Sequence, residues 1–194
     1  MEQNEIEHNA ADLSEMDRKA ALVETVISSE EIYQGKVVHL RVDTVRLPNG
    51  REAKREIIQH SGAVCIVPIH EGNVLLIRQF RLAAGKVLLE IPAGMREPGE
   101  EPAVSAAREL AEETGYRSAN LRPLFSSYLA PGYSTELIHA FLATDLTPGN
   151  THMDADENVE LVPVPLADIE RRILAGEIQD SKTVAAVLFA LRVL

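Results

Sequence analysis

The chain has 194 residues, 45% of them hydrophobic, enough to bury one stable core without disulfides or a structural metal. Its formal charge of -11, from 30 acidic and 19 basic residues, argues against a general nucleic-acid binder, which needs a basic footprint. A single cysteine excludes an intrachain disulfide framework, and no apolar run approaches the ~20 residues that span a bilayer, so a cytoplasmic protein without a membrane partner is expected.

Residues 1–20 are polar, with six acids against two bases, and read as a tail or a short peripheral helix. From Glu30 the chain turns β-leaning: Val37–Leu40 and Val42–Leu47, the turn Pro48-Asn49-Gly50, then Arg55–His60 as a returning strand. Residues 21–60 therefore form a small antiparallel sheet, suited to dimerisation and to walling a substrate site, ahead of a main domain at 61–194. That domain opens with a hairpin, Ala63–Ile69 and Val74–Phe80, whose first strand is apolar throughout and carries Cys65 as a buried, inert thiol. Val87–Ile91 is a further short strand, broken at Pro92-Ala93-Gly94.

A polar loop then leads into a helix expected from Glu100 to Glu113 and ended by Gly115. Strands follow at Phe125–Leu129 and Leu137–Ala143, then an acidic loop from Thr147 to Glu157. Val159–Val164 is expected at a sheet edge because Pro163 cannot donate to a ladder. Helices near Leu166–Ala175 and Lys182–Leu191 close the chain. Mixed strands around a central helix, with helices at the end, imply layers of helix, sheet and helix.

The chemistry lies on the central helix. Between Glu90 and Glu113 there are seven carboxylates and only Arg96 and Arg108 to balance them. Glu109, Glu112 and Glu113 stand at i, i+3 and i+4, converging on one stripe beside the apolar face of Ala103, Val104, Ala107, Leu110 and Ala111. Like charges so placed cost a few tenths of a kcal/mol per pair, roughly, which a cation would offset. Oxygen ligands of this kind suit Mg²⁺ or Mn²⁺; a solvated acidic face is the alternative on spacing alone.

The flanking residues extend the pattern. Gly94, five residues, Glu100, seven residues, then Arg108-Glu109-Leu110-Ala111-Glu112-Glu113-Thr114-Gly115-Tyr116 resembles the Nudix box of hydrolases acting on nucleoside diphosphates linked to another moiety. Tyr116 departs from the usual aliphatic residue, though its ring can fill a similar core position. The resemblance implies a Nudix-type α/β/α sandwich with a mixed sheet, an α/β fold, preceded by the small antiparallel sheet. It implies Glu109 and Glu113 as metal ligands, Glu112 as a ligand or water-bridged partner, and the Ala93 carbonyl completing the site. Arg108 would orient a glutamate, and Glu100 would support the loop.

Outside the box, three stretches resemble the ADP-ribose pyrophosphatase branch. They are Arg78-Gln79-Phe80-Arg81 with Glu90-Ile91-Pro92-Ala93-Gly94, Arg55-Glu56-Ile57-Ile58 with His60–Val64, and Pro131, sixteen residues beyond Gly115. The activity implied is Mg²⁺-dependent hydrolysis of the ADP-ribose pyrophosphate to AMP and ribose 5-phosphate by metal-activated water. Glu157 is the favoured general base on its loop, with Asp154, Asp156 and Glu160 as rivals. Arg78, and secondarily Arg81, would contact phosphate. Arg55, Glu56, Tyr33 and Arg51 would meet adenine or ribose, from a partner subunit if the chain is a homodimer. Lys182 is given a structural or substrate-wall role. The alternatives are another substrate such as GDP-mannose and a non-catalytic module that senses ADP-ribose or NAD.

Overall fold

The structure, a computed structural model, describes residues 19–149 and 158–194. The expected N-terminal tail up to residue 18 and the loop acids Asp154, Asp156 and Glu157 lie outside the described residues. Two compact units divide the chain: one runs up to Gln59 and includes Gly132–Ser134, the other comprises His60–Pro131 and Thr135–Leu194.

The first unit is a three-stranded antiparallel sheet of β1 (Thr25–Gln34), β2 (His39–Arg46) and β3 (Glu52–Gln59), in that order. The β2–β3 hairpin turns at Pro48–Gly50, where Gly50 takes φ 81. Sequence reading places the first β-leaning residues at Glu30, yet β1 begins at Thr25. All ten of its residues are exposed, so it has no inside-outside alternation to signal a strand. Gly132–Ser134 joins this unit through the Ile58 N–H, which donates to the Tyr133 carbonyl at 2.7 Å.

The second unit is an α/β/α sandwich. Its sheet runs β10 (Val159–Pro165), β5 (Asn73–Arg81), β4 (Ala63–His70), β9 (Leu137–Pro148), β8 (Tyr116–Tyr128), with β6 (Lys86–Glu90) on β5 and β7 (Ala93–Met95) on β4. The β4–β9 pair is parallel and the other pairs are antiparallel, so the sheet is mixed. Strand β4 lies in the middle because both its faces are apolar. Val64 and Ile66 pack with Ala106 and Leu110 of helix α1 (Pro102–Thr114). Ala63, Cys65 and Val67 pack with Ile169 of α2 (Ile169–Leu174) and with Ala186, Val187 and Ala190 of α3 (Ser181–Val193). Leu110 is fully buried; truncating it to alanine would cost about 2–5 kcal/mol. Burial pushes the Cys65 thiol up to about 12, against the nearby Lys182 charge, and leaves it inert at neutral pH.

Other boundaries differ from the sequence reading too, and Ala93–Met95, read there as a break leading into a loop, is strand β7 paired with β4. Helix α1 starts at Pro102, not Glu100, because Pro102 occupies the first turn and Glu101 is the extended N-cap; Glu100 stays in the loop. Strand β8 runs thirteen residues from Tyr116, its polar exterior and the register shift at Pro123/Phe125 having masked the first half. Strand β9 continues to Pro148, beyond the expected Ala143. Strand β10 is at the sheet edge, a place that tolerates Pro163. Among the described residues no helix is long and apolar enough to cross a membrane.

Candidate active site

Helix α1 ends at Gly115, which takes φ 73 and returns its N–H to the Ala111 carbonyl, a left-handed cap that only glycine adopts readily. The helix packs on the sheet through Ala106 and Leu110, and Tyr116 closes this cluster, its ring 4.9 Å from that of His70. The adjoining stripe bears Glu109 and Glu113, only 7% and 4% exposed, and the half-buried Glu112.

Buried carboxylates need partners, and the sequence supplies two kinds. The Ala93 N–H donates to Glu113 Oε2 at 2.8 Å, drawing the box-entry loop onto the helix. Arg108 supplies the second: Nη1 reaches Glu109 Oε1 at 2.7 Å and Glu112 Oε2 at 2.9 Å. Its Nε and Nη2 grip Glu100 at 3.2 and 3.1 Å, and Nη2 also reaches the Met95 carbonyl and Ser105 Oγ, each at 3.2 Å. One guanidinium thus bridges the loop and the helix and offsets the repulsion among the glutamates. Its pKa is raised, first by the Glu100 hydrogen bond and against burial, with Glu109 and Glu112 adding to it. Glu100 is held down to about 2, chiefly by Arg108, against its desolvation.

Gly94 brings the β7 backbone into contact with Glu109. A Cβ built there would fall 2.0 Å from Glu109 Oε1, so only glycine leaves the carboxylate its place. The donors gathered are all hard oxygens: three carboxylates on the helix and, beside Gly94 on β7, the Ala93 carbonyl. Their chemistry fits a hard divalent cation. Among the described residues no group of three or more His, Cys, Asp or Glu side chains is arranged as a metal cage; the carboxylates are engaged by Arg108 and the Ala93 N–H.

The structure brings together Ala93, Arg108, Glu109, Glu112 and Glu113, with Arg81 close enough for the Glu113 charge to raise its pKa further. Arg78 lies elsewhere on β5, paired across to Glu160 of β10 at 2.5 Å on an exposed surface. Pro131 is exposed in the loop between β8 and β9. In the three-stranded unit, Arg55 makes a bidentate pair with Glu24 at 2.6 and 2.9 Å. Glu56 and Arg51 are exposed, and Tyr33 stands 60% exposed on β1.

One group was missed. Glu90 is only 1% exposed and is shared by Arg81 and Lys182. A carboxylate inside the apolar run Val87-Leu88-Leu89-Glu90-Ile91 was the available signal, since a buried acid must be paired.

A mixed sheet between helices, with an Arg-centred glutamate helix beside a glycine-bearing entry segment, defines the Nudix hydrolases, and the comparisons agree. The NUDIX domain model matches residues 59–187, and the model of the nucleoside diphosphate sugar hydrolase N-terminal domain matches residues 24–58. The ADP-ribose pyrophosphatase of Bacillus subtilis (strain 168) is 41% identical over 172 residues, covering 87% of this chain and 93% of its own. The methanol dehydrogenase activator of Bacillus methanolicus is 42% identical over 169 residues, covering 86% and 91%. The GDP-mannose pyrophosphatase of Escherichia coli O1:K1 / APEC is 37% identical over 142 residues, covering 68% and 74%. A crystal structure of an ADP compounds hydrolase superposes with a TM-score of 0.80 at 25% identity, over 88% of this chain and 94% of that one. The chain belongs to the Nudix family and is a pyrophosphohydrolase acting on a nucleoside-diphosphate-linked substrate. Within the family it is closely related to the ADP-ribose pyrophosphatase branch.

Proposed function

We propose that the protein hydrolyses ADP-ribose to AMP and ribose 5-phosphate, using Mg²⁺, or Mn²⁺ in its place. The observation that carries this reading is the gathering of Glu109, Glu112 and Glu113 against the Ala93–Gly94 loop, with Arg108 linking loop and helix. Those three carboxylates and the Ala93 carbonyl would hold the ion, which when bound neutralises diphosphate charge and acidifies water. Arg108 keeps the carboxylates facing one another and the loop in register. Arg81 and Arg78 contact diphosphate oxygens, and Glu157 takes the proton from the attacking water. The water oxygen bonds to one phosphorus, the bridging P–O bond breaks, and the two monophosphates leave. Tyr33, Arg51, Arg55 and Glu56 receive the adenine and ribose, and Pro131 shapes the loop after β8. Arg55 must exchange Glu24 for substrate in doing so.

The substrate is a small molecule rather than a nucleic acid, in keeping with a net charge of -11. A homodimer is part of the proposal: β1 leaves Val26, Ile27, Ile32 and Tyr33 exposed by 43–60%. A second reading, hydrolysis of GDP-mannose, is favoured by the 37% identical relative of that activity. Product analysis separates the two. The purified protein is mixed with Mg²⁺ and equal concentrations of ADP-ribose, GDP-mannose, NADH and a diadenosine polyphosphate, with an EDTA control. Preferential, EDTA-sensitive release of AMP and ribose 5-phosphate is expected; preference for GDP-mannose would replace the substrate, and no turnover would favour a sensing module.

A further inference from the structure

Glu90 closes β6 in a nearly water-free position, 1% exposed. Arg81 grips it edge-on, Nε to Oε1 and Nη2 to Oε2, both at 2.9 Å. Lys182 Nζ donates to the same Oε2 and lies 2.9 Å from Asp180 Oδ2. Asp180 Oδ2 in turn caps α3, accepting the Thr183 N–H at 2.9 Å and its hydroxyl at 2.6 Å. Thr183 Oγ1 then accepts the Ile91 N–H at 2.9 Å. The circuit runs from Arg81 through Glu90, Lys182, Asp180 and Thr183 back to Ile91, two residues before the Ala93–Gly94 loop.

Burial alone pushes the Glu90 carboxyl up, but the hydrogen bonds and charges of Arg81 and Lys182 outweigh it and hold the group below its ordinary value. Glu90 therefore stays ionised at neutral pH. Lys182, its side chain only 11% exposed, already supplies a counter-charge within the fold. Arg81 is different: its side chain is 41% exposed. The pair engages the Nε–Nη2 edge and leaves the Nη1 end outside it. A long cation at a surface samples many rotamers, and a two-point grip on a buried, immobile carboxylate removes that freedom.

We infer that Glu90 is a positioning residue, which with Lys182 and Asp180 fixes Arg81 so that its outer end meets the substrate diphosphate, and which ties that grip to the N-terminus of α3. This rests on the reading above that Arg81 contacts the diphosphate. The Glu113 charge also raises the Arg81 pKa, so guanidinium and box carboxylates are within electrostatic reach of each other. A fixed Arg81 therefore holds a set relation to the glutamates while Glu90 itself never touches substrate.

A double-mutant cycle in kcat/KM tests it. Steady-state kinetics with ADP-ribose and Mg²⁺ are compared for wild type, Arg81→Lys, Glu90→Gln and the double variant. Arg81→Lys removes the planar two-point geometry and is expected to lower kcat/KM by about 10- to 100-fold. Glu90→Gln is expected to lower it by about tenfold or more, mainly through KM. The double variant should be within about threefold of Arg81→Lys alone, because Glu90 acts only through Arg81. Should Glu90→Gln fail to fold by circular dichroism, Lys182→Met takes its place in the cycle, with a smaller loss likewise absorbed by Arg81→Lys. Losses that multiply in the double variant, or wild-type kinetics for Glu90→Gln or its replacement, overturn the inference while leaving the diphosphate role of Arg81 intact. Wild-type kinetics for Arg81→Lys overturn both. If ADP-ribose is not turned over, the cycle is run with GDP-mannose, which presents the same diphosphate.

Discussion

Replacing Gly94 by alanine should lower activity far more than stability. The new Cβ would lie 2.0 Å from Glu109 Oε1, 2.1 Å from Cδ and 2.3 Å from Oε2, whereas Cβ atoms do not approach other heavy atoms within 3.0 Å. The carboxylate must therefore withdraw by roughly 1 Å, a displacement that can cost about 10²-fold in rate. Glu109 can move because the clash is with the far end of a flexible side chain, and Gly94 is not among the glycines at positive φ, so alanine fits its backbone. Stability should fall by no more than about 1–2 kcal/mol, while kcat falls about 100-fold, equivalent to ~2.7 kcal/mol of transition-state stabilisation. Thermal unfolding and initial rates over a Mg²⁺ series measure the two quantities. A Gly94→Ala protein with kcat within about threefold of wild type would show that the Glu109 position is immaterial to turnover.

Glu113→Gln keeps an acceptor for the Ala93 N–H and the same volume, so circular dichroism should be unchanged while turnover nearly vanishes; retained turnover would remove Glu113 from the metal site. Glu157→Gln should lower turnover but leave Mn²⁺ affinity, read by electron paramagnetic resonance, unaltered; a wild-type rate would move the base to another group. The depressed Glu100 pKa contributes stability that is present above the ordinary carboxyl value of 4.5 and is lost as pH falls through about 2. Between those values Glu100→Gln should flatten the decline of Tm with pH, and an unaltered slope would mean that the Arg108 pair adds no folding stability. Light scattering should give twice the 21.3 kDa chain mass, and Ile27→Lys on β1 should lower it; a monomeric wild type would reject the dimer.

The central helix was legible because its signals are local: spacing along the chain puts Glu109, Glu112 and Glu113 on one stripe wherever the helix packs. The glycine cap at Gly115 was legible for the same reason. What the sequence withheld depends on partners far along the chain. No pattern in Ala63–His70 says that it pairs in parallel with Leu137–Pro148, and none in Arg78 names Glu160 as its neighbour. Glu90 was read as part of a family entry motif, while its burial and its sharing between Arg81 and Lys182 require α3 to fold back ninety-two residues later. Strands β1 and β8 were under-read because an exposed or interrupted strand has no period-two pattern to detect.

Strands β4 and β5 are neighbours in sequence but share only two register pairs, Ile69–Val74 and His70–Asn73. Beyond these, β5 turns to β6 and β10, and β4 to β7 and β9. The short segment from Glu90 to Ala93 crosses between the two wings, paired with Ile77 at one end and Cys65 at the other, and pinned midway where Pro92 accepts the Ile66 N–H. It works as a spacer bar: Arg81 belongs to one wing and the Gly94 loop to the other. A substitution that changes the splay of these strands would alter the separation of cationic grip and acidic helix without touching a residue of either.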